Sequence, residues 1–300
     1  MTYKMLSYFS IIALGYFLKK IGFLNEKDGG ILSHLIIYVT LPVVIVEAIT
    51  KVKLQPSLLF LTLFGAIAAF FILTFGLTFF SKSKLPPKTK GSLSLTLCGL
   101  NLAIFAYPFA QVMWSNRGLT YMAMFDIGNA LIIYTLGYSV ALKYSSEGFN
   151  ARAVVKKLVT FPPLIAFELA LILNFGNIVV PYAVYNMISP VSSANAFLSM
   201  ITIGIYLDFK KITREFKYMM EGMVLKYAVG LGVGIGLWYL SRLIAPNDHV
   251  ASTIVFVSSL MPTPLLSLIY SIERKLDPEV AGGMVTMTVV VSSVILLFLA

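Results

Sequence analysis

From Gly91 to Ser115 the chain carries no charged residue, yet Pro108 lies within that apolar run. An uncharged stretch of this length reads as a membrane span. A proline inside it removes one backbone donor and clashes with the carbonyl four residues back, so the helix is expected to kink or break there. The same pattern returns between Val250 and Ile272, where Pro262 and Pro264 interrupt a second apolar run. Irregular backbone at membrane depth is tolerated only where protein or a water-filled cavity satisfies it. Two interrupted spans at corresponding places in two halves point to a solute site near mid-membrane.

Composition places the whole chain in the same solvent. Of 300 residues, 58% are hydrophobic and 12% charged, with a mean hydropathy of +0.88. A soluble domain carries about twice that charge. The sequence therefore predicts an all-α polytopic membrane protein. Ten spans fit, at about 3–20, 30–50, 56–81, 91–114, 118–142, 160–180, 183–207, 219–243, 250–272 and 279–299. The first has no small-residue cleavage site, and its basic pair Lys19-Lys20 follows the apolar run, so it reads as a span and not a leader. The polar link 143–157 divides the chain into a first half, 1–142, and a second, 158–300.

Seventeen Lys and Arg fall in the loops after odd-numbered spans, and five on the other side. The positive-inside bias then puts both termini outside the plasma membrane and the central link in the cytoplasm. This bias also accounts for the net charge of +10 without a nucleic-acid partner. Five spans per half make the second half enter upside down, the inverted-repeat plan of many secondary transporters.

Few residues can carry chemistry. If both interrupted helices unwind, their N-terminal ends offer free N–H groups to an anion and their C-terminal ends offer carbonyls to a cation or water. Tyr107 and Pro108 in the first break, and Met261, Pro262, Thr263 and Pro264 in the second, would then line the substrate site. Asn101 either reaches the substrate or satisfies the freed backbone. Asp126 lies about 12 Å into span 5 by helical rise. A carboxylate there is a functional candidate for proton transfer, cation binding or pairing with Lys226 of span 8. Asn129 follows Asp126 by one turn on the same face. The expectation for Gly230, Gly232, Gly234 and Gly236 is a stripe for close helix contact. Cys98 stands alone, so no internal disulfide forms, and no His/Cys cluster has metal-ligand spacing. No catalytic constellation is found, with no nucleophile elbow, zinc-protease motif or P-loop, and the last absence argues against ATP-driven transport by this chain.

The run from Asn101 to Pro108 resembles the Asn-x6-Pro signature of the auxin efflux carrier family, which includes bacterial malate-permease-like members and plant auxin carriers. Leu41-Pro42, Ile203-Gly204, Met261-Pro262 and Asp277-Pro278 fit the same pattern in order along the whole chain. The resemblance implies two inverted five-helix repeats whose helices 4 and 9 cross at their breaks. It implies a dimerising scaffold of helices 1, 2, 6 and 7, an elevator-type moving domain of helices 3–5 and 8–10, and a small organic anion as substrate. It assigns the substrate site to Asn101 and Pro108. Ala103 and Ala106 replace glycines usual in the signature, and Phe197 replaces a proline usual in span 7. The reading is a secondary transporter of a carboxylate or auxin-like acid, a homodimer, not an enzyme. It needs no cofactor, with H+ or Na+ as possible coupling ions. The alternatives are a membrane sensor for a metabolite or lipid, or a sodium-coupled symporter of the bile-acid type.

Overall fold

The computed structural model describes residues 2–145, 150–213 and 215–299, and the regular elements among them are all helical. In chain order they are α1 (Thr2–Lys20), α2 (Glu26–Leu35), α3 (Leu41–Thr50), α4 (Phe60–Ser81), α5 (Pro87–Thr96), α6 (Tyr107–Ile132), α7 (Tyr138–Tyr144), α8 (Ala151–Val159), α9 (Pro162–Phe175), α10 (Tyr182–Tyr206), α11 (Phe216–Ile244), α12 (His249–Ser259), α13 (Leu265–Glu273) and α14 (Pro278–Leu299). Six continuous stretches among the described residues are long and apolar enough to cross a membrane, and a seventh forms if α8 and α9, bent by 49°, are one span. This is a multi-pass membrane protein.

One of those stretches, Leu102–Tyr144, has 43 residues. As a straight rod it would extend about 65 Å, twice the thickness of a hydrocarbon core. It does not run straight. Ser115 has φ 56° and ψ −155°, outside helical geometry. Beyond it the chain returns, because the Tyr107 hydroxyl meets Asp126 Oδ2 at 3.1 Å. On a continuous helix those two residues would stand roughly 28 Å apart. α6 is therefore two antiparallel arms joined at Ser115.

Short turns of π-helix explain the prolines. Ile36–Thr40 precedes Leu41-Pro42, and Leu102–Ala106 precedes Tyr107-Pro108. In each, the N–H of the residue before proline reaches five residues back, Leu41 to Ile36 and Tyr107 to Leu102. The wider turn makes room for a ring that would otherwise strike the carbonyl four residues earlier. Pro42 and Pro108 then sit in the first turn of the next helix, where a missing N–H costs little. The first break is thus not at Pro108, as the sequence led one to expect, but at residues 97–101, between α5 and the π-turn. The second falls at 261–264, where its prolines place it.

Glycines set the closest helix contacts. A Cβ on Gly15 of α1 would lie 2.3 Å from Ile201 O, and one on Gly204 of α10 would lie 2.1 Å from Ile12 O. The same reciprocal contact joins α4 to the second arm of α6. There a Cβ on Gly65 would lie 1.8 Å from Phe125 O, and one on Gly128 would lie 1.8 Å from Thr62 O. Side-chain-free backbones approach in this way where apolar burial gives no net pull between helices. The α11 stripe is only half used. Gly230 and Gly234 meet Ser259 of α12, but Gly232 and Gly236 have nothing within 4 Å. A helix period of 3.6 turns the intervening pair away.

Helix ends follow local chemistry. Asn25 accepts from the Lys27 N–H at 2.8 Å while Asp28 accepts from the Asn25 N–H at 2.8 Å, which starts α2 before the apolar run begins. Asp277 accepts from the Val280 N–H at 3.4 Å and opens α14. Asn150 caps α8 by accepting from the Ala153 N–H, so a helix forms within the expected polar link. Part of that link, 146–149, lies outside the described residues. Phe70, Phe71, Phe75 and Phe79 are exposed along α4 and suit lipid contact, whereas Phe80 is fully buried.

Candidate functional site

The two breaks meet. The Asn101 N–H donates to Pro262 O at 2.8 Å, and the Thr263 hydroxyl donates to Thr96 O at 2.9 Å. Each break therefore supplies groups that the other lacks, which is how irregular backbone is kept satisfied away from water. α14 supports the second break. Thr288 Oγ1 accepts from the Thr263 N–H at 3.1 Å, and the Ser292 hydroxyl donates to Leu260 O at 2.9 Å.

Asn129 supports the first break from the second arm of α6. Its Oδ1 accepts from the Leu100 N–H at 3.0 Å, and its Nδ2 donates to Leu100 O at 2.9 Å. One amide thus replaces both main-chain partners of one residue. Gly99 lets it approach: a Cβ there would lie 2.6 Å from Asn129 Oδ1. Of the two roles open to Asn101, backbone satisfaction is taken by Asn129.

Asn129 Nδ2 also donates to Asp126 Oδ1 at 2.9 Å, while Tyr107 OH donates to Oδ2. Ala103, at the start of the π-turn after the break, lines the same cavity as this carboxylate. Asp126 therefore sits at the N-terminal end of the resumed helix, where free N–H groups favour negative charge. It does not pair with Lys226. The Lys226 ammonium donates to Gly99 O at 3.3 Å, and no ion pair links the two side chains.

A cavity of about 60 Å³ lies against the breaks. Asp126, Asn129, Ala130, Ile133 and Tyr134 line it from α6 and the π-turn that follows. Their spacing of i, i+3, i+4, i+7 and i+8 is one face of a helix. Asn101 and Pro264 line it from the two breaks, and Phe161 from the start of α9. Asn101 is only 5% exposed and lines the cavity, and among the described residues its side-chain amide makes no hydrogen bond. The other expected site residues play supporting parts. Tyr107 holds Asp126, Pro262 and Thr263 bond across the breaks, and Pro108 and Met261 are buried in the packing.

Tyr134 and Phe161 escaped the sequence reading, although the helical spacing from Asp126 points to Tyr134. Their rings stack with centroids 3.9 Å apart on one wall of the cavity. Nearby, Lys157 Nζ meets Glu273 Oε2 at 3.1 Å and lies over the rings of Tyr138 and Tyr270 at 4.7 and 4.6 Å. These contacts tie the α8–α9 bend to α7 and α13 at that end of the bundle.

At the opposite end a basin of about 720 Å³ opens between α1, α3, α10 and the Ser115 turn of α6. Its polar lining includes Lys4, Lys51, Glu47, Gln111, Asn116 and Ser192. Lys51 and Glu47 form an ion pair there.

The sequence pattern of the family described as membrane transport protein matches residues 1–300. A protein of Methanothermobacter thermautotrophicus, described as an uncharacterized transporter, is 28% identical over 305 residues, covering 98% of this chain and 95% of its own length. Another of Methanocaldococcus jannaschii, described in the same words, is 24% identical over 299 residues, covering 95% of this chain and 93% of its own.

Proposed function

Because the chain belongs to the membrane transport protein family, as the auxin-efflux-carrier resemblance implied, we propose that it is a secondary transporter of a small organic anion, bound where the two breaks meet. The single observation that carries this site is the Asn101 amide, which lines a cavity between two broken helices and makes no hydrogen bond among the described residues. An amide at a cavity wall has donors and an acceptor free for a solute. A solute carboxylate would accept from Asn101 Nδ2, with Pro264 of the second break forming part of the wall.

The cavity of about 60 Å³ is far below the roughly 300–1,000 Å³ of a ligand pocket, so a solute enters only when the site widens. The basin of about 720 Å³ has the size of a ligand pocket and would be the approach to it. The reading extends to ten passes in two inverted repeats. The Ser115 reversal and the division of α5 from α6 and of α12 from α13 support it, with the broken helices crossing at the Asn101–Pro262 contact. A scaffold carrying α1–α3, α9 and α10 would hold a homodimer while the rest moves as an elevator. Both termini would face outward.

Asp126 gives the coupling. An anion arriving beside a carboxylate is repelled unless that carboxylate takes up a proton, so entry of solute and proton together is favoured. Neighbouring titratable groups are Tyr107 and Tyr134.

The test is Asn101→Ala in proteoliposomes with a panel of small carboxylates. The site reading expects carboxylate binding, read as a rise in Tm, to fall at least tenfold in affinity with folding intact. Unchanged uptake by Asn101→Ala removes the amide from the site. Stabilisation only by neutral or lipid-like compounds would sink the anion reading and favour a sensor.

A further inference from the structure

Lys226 is the charged group that the proposed site does not use. It lies ten residues into α11, about 15 Å along the axis from Phe216 by helical rise, which is half of a hydrocarbon core. It is 1% exposed, so its stem does not reach an interface. Among the described residues no carboxylate comes within ion-pair distance of it. An ammonium at this depth costs several kcal/mol unless a partner within the protein holds it. Packing alone therefore does not explain a lysine.

Its one hydrogen-bond partner among the described residues is informative. Gly99 O belongs to the unwound run after the C-terminal end of α5. The exposed carbonyls of a broken membrane helix are a cation's ligands, and in sodium-coupled carriers they hold the metal ion. Other freed carbonyls at the two breaks receive neutral donors: Thr263 at Thr96, Asn129 at Leu100, Asn101 at Pro262 and Ser292 at Leu260. Among these carbonyls Gly99 alone receives a lysine side chain, at 3.3 Å. Asp126 is engaged with Tyr107 and Asn129, and no ion pair joins it to Lys226, so the ammonium does not serve to neutralise it by contact.

We propose that the Lys226 ammonium is the resident cation of the first break, covalently held where a sodium-coupled carrier would bind a metal ion, so that this chain folds its site and runs without sodium. The proposal rests on the transporter reading but not on the chemistry of the solute. It makes the second rival, a sodium symporter, unnecessary for a physical reason: the place is filled.

The experiment uses purified full-length protein without any organic anion other than buffer, so failure of the carboxylate site would not affect it. Thermal unfolding is followed in sodium, potassium and choline chloride at equal ionic strength. Wild type is expected to give the same Tm in all three. Lys226→Ala should melt lower, and propylammonium, which restores a tethered amine as a free one, should raise its Tm saturably, while propanol at the same concentration should not. Lys226→Met keeps the stem volume and tests charge alone. It should also melt below wild type and stay unresponsive to propylammonium, since its side chain fills the space. A saturable rise of wild-type Tm specific to sodium overturns the proposal, as does a Lys226→Met that melts with wild type. Should Lys226→Ala fail to fold, those two measurements still decide.

Discussion

Asn129 carries more of the site than any other side chain, and its removal can be worked through. It makes bonds of 3.0 and 2.9 Å to the two main-chain groups of Leu100 and one of 2.9 Å to Asp126. Asn129→Leu fills similar space and deletes all three. Leu100 N–H and C=O are then orphaned inside the protein, at about 1–3 kcal/mol each. Transmembrane hydrogen bonds measure weaker, roughly 0.6 kcal/mol on average, because the unfolded chain in a membrane finds other partners. The unwound run has no such freedom, since its neighbours are already engaged, so a total of about 2–4 kcal/mol is expected. At ~2–4 °C per kcal/mol for large domains, Tm should fall by several degrees. Asn129→Asp separates the terms. It keeps the acceptor for the Leu100 N–H but turns an oxygen toward Leu100 O and Asp126, so it should destabilise at neutral pH and recover partly in acid. The assay is Tm in detergent across pH, paired with carboxylate binding. If Asn129→Leu melts within about a degree of wild type, a shift of well under 1 kcal/mol, the amide is not what holds the break.

Other outcomes follow from single distances. Gly128→Ala puts a Cβ 1.8 Å from Thr62 O, so α4 and α6 must separate by more than an ångström, and a loss of at least about 1–3 kcal/mol is expected in unfolding. Gly232→Ala, with nothing within 4 Å, should be neutral or stabilising by up to about 1 kcal/mol. Equal melting of the two variants would refute the glycine-contact account. Asp126→Asn should flatten the pH dependence of uptake while the protein stays folded, and a retained profile would make Asp126 structural. Asp248 tests the Asp248–Arg117–Tyr121 cluster at the start of α12. Burial pushes its carboxyl up, but hydrogen bonds from Tyr121, the Ala251 N–H and Arg117 hold it below the usual carboxylate range. Its contribution is full above the ordinary carboxyl pKa of about 3.9 and is lost as pH falls through the lower folded value. Asp248→Asn should therefore melt below wild type at pH 6 and converge with it in strong acid, read as Tm against pH. A difference that persists unchanged into acid would show that charge is not the cause.

The sequence makes the second break legible because Pro262 and Pro264 flank it and both lack donors. The first break was misplaced, because Pro108 disturbs the turn before it without ending the helix, and the π-turn at Leu102–Ala106 absorbs the disturbance. Its true position depends on Asn129, twenty-nine residues away from Leu100, and on Pro262 in the other half. No local pattern encodes such partners. The same limit applies to Lys226. Its depth and charge are plain from the chain, but its target at Gly99 is set by how α11 packs, and the suggested pairing with Asp126 does not form. Asp126 and Asn129 were visible as neighbours because one helix turn relates them. The Ser115 reversal was visible as a span boundary, since an uncharged run gives way there to Asn116 and Arg117.

The bond from the Asn101 N–H to Pro262 O has a consequence for how the chain is made. Synthesis runs from the N-terminus, so more than half of the protein enters the bilayer before Pro262 exists. Throughout that interval the first break has no acceptor for Asn101 and no hydroxyl for Thr96 O. The early half must wait, loosely packed or hydrated at its centre, until the later half arrives to close it. Assembly in the membrane is then a single late docking of two halves, and a ribosome that stops before residue 262 leaves an unfinished seam for quality-control proteases to find.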